Sequence, residues 1–168
     1  MKKKLTFITT AGLIAALYVA LTYLCSALGL ASGVIQVRFS EALAALCLFT
    51  PAAVPGLFIG CVISNLVTGC LPLDVIFGSL ATLIGSFLAW YLRKHPIPAL
   101  LMPVASNTLV VPFVLKLVYE VGDAWWFCFV TVFAGEVISC VILGYILYIS
   151  LKKSGLGEKL RVMTVSKK

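Results

Sequence analysis

The sequence predicts an all-α integral membrane protein, a compact bundle of six transmembrane helices with both termini in the cytoplasm. Three observations predict it. Apolar residues make up 62% of the chain and charged residues 11%, whereas soluble domains carry about 25% charged residues. So few charges cannot coat a water-facing surface, and the mean hydropathy is +1.13. The apolar residues also fall in long unbroken runs of about 20, the length of a spanning helix, rather than the short alternating segments of a transmembrane barrel. Finally, the basic residues gather at the two ends and in one loop: Lys2 to Lys4, Arg93 and Lys94, Lys152 and Lys153, then Lys159, Arg161, Lys167 and Lys168. An even number of spans puts these places on one side, which the positive-inside rule makes the cytoplasm. The net charge of +7 is then a topology signal rather than a nucleic-acid footprint.

The spans follow in order. Helix 1 is expected at about 5–29. Its apolar run is longer than the 7–15 residues of a secretory core, so it reads as a retained helix. A short helix 2 is expected at 40–50 and helix 3 at 53–69, broken by TPAAVPG. Helix 4 is expected at 73–92 after TGCLPLD, helix 5 at 97–119 after RKHPIP, and helix 6 at 124–151 after EVGD. Each break carries the Pro, Gly or charge that turns use. Residues 1–152 form the membrane domain, and 153–168 read as a basic, frayed cytoplasmic tail. Trp125 and Trp126 fall where an aromatic belt would anchor the outer interface. Small residues four apart mark close helix approach: Gly12, Ala16 and Ala20 on helix 1, Gly56, Gly60 and Ser64 on helix 3, and Gly78, Thr82 and Ser86 on helix 4. Such a stripe either packs the bundle or docks another membrane protein.

A bundle of this size leaves no room for a soluble catalytic or nucleotide-binding domain. No nucleophile with its base and no metal set of the HExxH kind is visible, so the expectation is a non-enzyme without metal or cofactor. The six cysteines lie mostly within apolar runs without CxxC spacing and read as small fillers.

The informative residues are polar ones at membrane depth, which are costly and usually face a bundle interior or a substrate path. Glu136 lies about 18 Å into helix 6 at 1.5 Å per residue, too deep to cap anything. It is either a structural carboxyl or a ligand contact. Asn107 sits between Pro103 and Pro112, whose rings free backbone groups, and either bonds a neighbouring helix or a solute. Asp74 and Glu41 each open a helix, so N-capping and dipole compensation compete with ligand contact. Asn65 lies toward the outer end of helix 3. Arg38, the exception to the positive-inside pattern, either snorkels or pairs with Glu41. Lys116 and Glu120 are spaced for a local pair. All these carboxylates and amides fall in the middle or outer half, which suggests a pocket open to the outside for a polar organic solute.

The stretches IQVRFSEALAAL, TPAAVPGLFIGCVISNL and LDVIFGSLATLIG resemble the queuosine-precursor transporter family, substrate-binding (S) components of energy-coupling factor transporters. The resemblance implies a six-helix bundle in the cell membrane of a bacterium. It implies tight capture of a small micronutrient, here a 7-deazaguanine such as queuine or its precursors. It also implies docking on a transmembrane coupling protein with two cytosolic ATPases, through an AxxxA-type motif that Ala16 and Ala20 match. On that reading Glu136 accepts from the N–H/NH₂ edge of the base and Asn107 donates to its carbonyl. Asp74 or Glu41 faces an exocyclic amine, and Phe77 or Trp125 stacks on the ring. The alternatives are an S component for a different vitamin and a small standalone secondary transporter.

Overall fold

The apolar runs fold as α1 (Lys2–Ala27), α2 (Ala53–Val67), α3 (Pro72–Tyr91), α4 (Pro96–Leu117), α5 (Trp125–Glu136), α6 (Gly144–Lys153) and α7 (Leu156–Thr164). A 3₁₀ segment, Phe39–Leu48, lies between α1 and α2, and a π-helical segment, Val137–Leu143, joins α5 to α6. The structure is a computed structural model and describes residues 2–30, 35–120 and 122–164. Lys167 and Lys168 of the tail and Val121 of the EVGD break lie outside the described residues.

Among the described residues, four helices are long and apolar enough to cross a membrane: Lys3–Ala27, Pro72–Tyr91, Pro96–Leu117 and the continuous rod Trp125–Lys153. Phe39–Leu48 and Ala53–Val67 are shorter and equally apolar. The core is built around the 3₁₀ segment, in which Leu43 to Leu48 and the polar Ser40 and Glu41 are all buried.

Helix α1 buries Ala11, Ile14, Ala15, Tyr18, Thr22 and Cys25, one face at helical spacing. The glycines of α2 make that contact close. A Cβ on Gly60 would meet the Tyr18 Cβ at 2.7 Å, and one on Gly56 the Ala11 carbonyl at 2.8 Å. On the next pair, a Cβ on Gly85 would meet the Pro103 Cα at 2.7 Å, and the Ser106 hydroxyl donates to the Ala81 carbonyl at 2.7 Å. The Gly56/Gly60 stripe is therefore a packing face. The Gly12/Ala16/Ala20 stripe is not: all three are exposed, and nothing lies within 4 Å of where a Gly12 Cβ would stand.

Two expectations need correction. The short second helix winds as 3₁₀ rather than α. Its small residues, Ala42, Ala44, Ala45 and Cys47 among them, tolerate eclipsed i,i+3 side chains. The tighter winding rises about 2.0 Å per residue, so the segment reaches about 20 Å where an α-helix would reach about 15 Å. The chain after Lys153 is not frayed through to 164, because α7 folds back onto the bundle. The Thr50 hydroxyl donates to the Thr164 hydroxyl at 2.8 Å, and Gly157 is buried against Phe49. A Cβ there would stand 2.4 Å from the ring. Gly157→Val is thus expected to cost about 1–3 kcal/mol by overpacking, falling on α7 alone. Hydrogen exchange should rise across 156–164 while α1 to α4 keep their protection.

Candidate functional site

The polar residues converge at the end of the bundle where α1, α2 and α4 finish and α3 begins. A cavity of about 350 Å³ lies there, and its polar lining includes Thr22, Gln36, Arg38, Asn65, Asp74 and Tyr119. A smaller cavity of about 30 Å³ adjoins it deeper in, lined by Glu41, Cys61, Thr82, Asn107 and Glu136. Gln36, Arg38, Asp74 and Val111 form the shared wall. The inner cavity has room for about one water, so a ligand seated in the outer one presents only an edge to it.

Three elements supply the inner groups. The 3₁₀ segment carries Glu41, which accepts a hydrogen bond from the Tyr18 hydroxyl of α1. The last residue of α5 is Glu136, immediately before the π-helical turn; such turns often mark functional sites. The Cys140 thiol within that turn donates to Glu136 Oε2 at 3.3 Å. Carboxylate atoms of Glu41 and Glu136 and the Cys140 sulfur lie within 4.8 Å of one another. The Asn107 amide of α4 lies beside the Glu136 carboxyl. Two carboxylates this close in a medium of low dielectric repel strongly, and Arg38 on the same wall supplies the opposite charge. Arg38 neither snorkels away nor forms a direct ion pair with Glu41. Its backbone N–H donates to Ser139 Oγ at 3.0 Å, and its guanidinium has no hydrogen-bonding partner among the described residues.

The segment bearing Arg38 can lie so close because residue 135 is glycine. A Cβ on Gly135 would stand 2.2 Å from the Gln36 carbonyl oxygen. Nearby, Cys61 accepts from Thr82 Oγ1 at 3.4 Å and from Asn65 Nδ2 at 3.6 Å. At the rim, the Tyr119 hydroxyl donates to Asp74 Oδ2 at 2.8 Å and accepts from the Leu71 N–H at 3.2 Å. It ties the α2–α3 turn to the end of α4.

Of the residues singled out from the sequence, Glu41, Asn65, Asp74, Asn107 and Glu136 surround the two cavities. Phe77 does not: it is 47% exposed on α3 and lines neither. Trp125 packs edge-on against Phe113, with ring centres 5.3 Å apart. Lys116 donates to the Asp123 carbonyl and lies over Trp125, 5.9 Å from the ring centre. Tyr18, Gln36, Arg38, Cys61, Thr82, Tyr119 and Cys140 were not assigned to the site from the sequence. For Tyr18 a signal existed: it shares its helix face with Ala11, Ala15 and Thr22, opposite the exposed small-residue stripe.

Removing the Tyr119 hydroxyl leaves the Leu71 N–H and the Asp74 carboxylate without that partner. The bonds are worth about 1 kcal/mol. Tyr119→Phe is therefore expected to loosen the rim and speed alkylation of Cys70, which lines the outer cavity, by several-fold. An unchanged labelling rate would show that the hydroxyl does not hold the rim.

A model of the QueT transporter family matches residues 8–153, most of the chain and all of both cavities. Comparison with curated proteins and with solved structures gave no match. The chain belongs to the QueT transporter family and is a helical membrane protein with several apolar spans.

Proposed function

We propose that this QueT-family chain is the membrane-embedded substrate-binding component of an energy-coupling factor importer, and that it captures a 7-deazaguanine queuosine precursor from outside a bacterial cell. The observation that carries the reading is the pair of joined cavities. They are walled by three carboxylates, three amides and a guanidinium without a hydrogen-bonding partner among the described residues, at the end of the bundle away from the basic termini and the Arg93/Lys94 turn.

Orientation and span count follow from the same distribution. The 3₁₀ segment starts at the carboxylate-lined cavity with Glu41 and ends beside Arg93 and Lys94 at Phe49. Counting it and α2 with the four long rods gives six spans of alternating direction. Both termini then lie at the basic end, which the positive-inside rule assigns to the cytoplasm. The cavity faces the exterior.

The chemistry fits a guanine-like edge. An N–H and an NH₂ side by side suit one carboxylate accepting two hydrogen bonds, and Glu136 lines the inner cavity while staying more accessible than the buried Glu41. The base carbonyl takes donors from Asn107 or Arg38. Asp74, on the shared wall and nearer the mouth, faces the exocyclic amine. An outer volume of 350 Å³ is at the small end for ligand pockets, the right scale for a bicyclic base. The thiol and carboxyls that converge within 4.8 Å are already engaged by Tyr18 and by one another, which favours an organic ligand over a metal.

The coupling protein and its two ATPases have a natural docking face in the exposed Gly12/Ala16/Ala20 stripe, where close helix approach meets no obstacle. The test of the substrate is thermal stabilisation of the purified chain by queuine, its aminomethyl and cyano precursors, guanine and a vitamin panel. A ligand at about 100 times its Kd adds about 2.7 kcal/mol of stability. Stabilisation by deazaguanines alone is expected, whereas stabilisation by a vitamin and not by them would replace the substrate assignment.

A further inference from the structure

A second, chemically different cavity lies at the opposite end of the bundle. It measures about 220 Å³, and Arg93, Lys94 and Arg161 line it together with Phe49, Pro51 and Trp90. No carboxylate is among its lining residues. Three separate parts of the chain build it: the turn after α3, the end of the 3₁₀ segment, and α7. It exists because α7 folds back through Gly157 and Thr164, which brings Arg161 beside the α3–α4 turn.

All three cations are exposed, and Arg93 is held in place. The Arg93 guanidinium lies over the Trp90 ring at 4.8 Å, and its Nη1 donates to the Trp90 carbonyl at 3.2 Å. That leaves most of its N–H fork open. Arg161 meets Glu158 on the α7 surface at 3.8 Å, an exposed contact of little strength. Two guanidiniums and an ammonium around one hollow make a site for a phosphate group, since the planar fork matches phosphate oxygens in pairs.

The rest of the wall decides what carries the phosphate. A free anion needs no apolar floor, yet Leu48, Phe49, Pro51 and Trp90 provide one. On α7, Leu156, Val162 and Met163 are each at least half exposed. A short helix with apolar and basic residues at a membrane end lies in the head-group region. Cationic and apolar walls together fit an amphiphile whose phosphate sits at this depth.

We propose that Arg93, Lys94 and Arg161, assembled by α7, form a binding site for the phosphate head group of an anionic lipid such as phosphatidylglycerol. The site needs only that this end of the bundle meets lipid head groups, and it is independent of what the opposite cavity binds. Occupancy would pin α7 to the membrane surface and hold the 3₁₀ segment from below.

The test titrates the full chain, purified in uncharged detergent, with phosphatidylglycerol, with phosphatidylcholine and with inorganic phosphate, and reads the melting temperature. Phosphatidylglycerol alone is expected to raise it. The double variant R93Q/R161Q should need about tenfold more of that lipid for the same shift, from the charge-assisted hydrogen bonds to phosphate that it loses. K152Q/K153Q removes equal charge from the same end without touching the cavity, and should stay within about twofold of wild type. If R93Q/R161Q does not fold, R93Q alone serves, with about a threefold effect expected. Equal shifts from both lipids would overturn the proposal, as would a wild-type response from the Arg93 variants or an equal loss from K152Q/K153Q. A shift from inorganic phosphate alone would replace the lipid by a free anion.

Discussion

Exchanging Glu136 for glutamine is expected to weaken binding of a 7-deazaguanine about a hundredfold, read as Kd by calorimetry on the purified protein. The replacement is isosteric, so shape is kept and only the chemistry changes. A carboxylate offers two acceptors to the N–H and NH₂ of the base, whereas an amide offers one acceptor and sets its own NH₂ against a donor. Hydrogen bonds to charged groups contribute about 1.5–3 kcal/mol, and a stranded buried donor adds its own desolvation cost. Discrimination of this kind is strong because the mismatch strands polar groups. About 2.7 kcal/mol corresponds to the hundredfold loss. The ligand-free protein should melt close to wild type, because Cys140 and Asn107 can still bond an amide. A Kd within about threefold of wild type would remove Glu136 from the site.

The second large effect is steric and falls on the neighbouring residue. Gly135→Val places a branched side chain where even a Cβ would lie 2.2 Å from the Gln36 carbonyl. The obstacle is backbone, so no flexible side-chain end can give way. Either α5 or the 36–38 segment must move, and that segment carries Arg38. Overpacking costs about 1–3 kcal/mol, and more is expected here because the clash meets main chain. Both readouts should fall: the melting temperature, and deazaguanine affinity by at least about tenfold. Gly12→Ala is the matching control. It has open space around it and gains helix propensity of about 1 kcal/mol, so its melting temperature should hold or rise. A Gly135→Val protein as stable and as tight-binding as wild type would mean that the 36–38 segment does not sit against α5.

These two positions show where the sequence was legible. Glu136 stood out because a carboxyl twelve residues into an apolar helix has few bland explanations. Asn107 stood out for its depth too, while Asn65 lay nearer a helix end and capping or dipole readings competed at Asp74 and Glu41; the structure gathers all five at two adjoining cavities. Gly135 did not stand out, since glycine is ordinary in membrane helices and only the approach of Gln36 gives it meaning. Thr82, Cys61 and Cys140 were equally silent as site residues, and Tyr18 showed only its place on the buried face of α1. Hydroxyls and thiols are compatible with lipid-facing helices, and the Tyr18–Glu41 and Thr82–Cys61 bonds join residues 23 and 21 apart. Phe77 lines neither cavity, because an aromatic three residues from Asp74 is on the same face only roughly, and α3 turns it to the outside.

The helices were legible from hydropathy to within a few residues, as at Pro72–Tyr91 against the expected 73–92. Hydropathy does not distinguish a 3₁₀ segment from an α-helix, so the winding of Phe39–Leu48 was not legible. The tail shows a different limit. Its charges made α7 look solvated, yet Gly157, Leu160 and Thr164 recur at helical spacing on the face that meets the bundle. A short amphipathic pattern of that kind is visible only when the surface it rests on is known.

Cys70 offers a native reporter for the account as a whole. It lines the outer cavity, and the other five cysteines are buried. The measurement is labelling of Cys70 by a membrane-impermeant maleimide in intact cells and in inverted vesicles, each with and without a 7-deazaguanine. Labelling from the outside that the deazaguanine suppresses is the expected result. Labelling confined to inverted vesicles, or labelling from outside that the ligand leaves untouched, would contradict an outward-facing site for this solute.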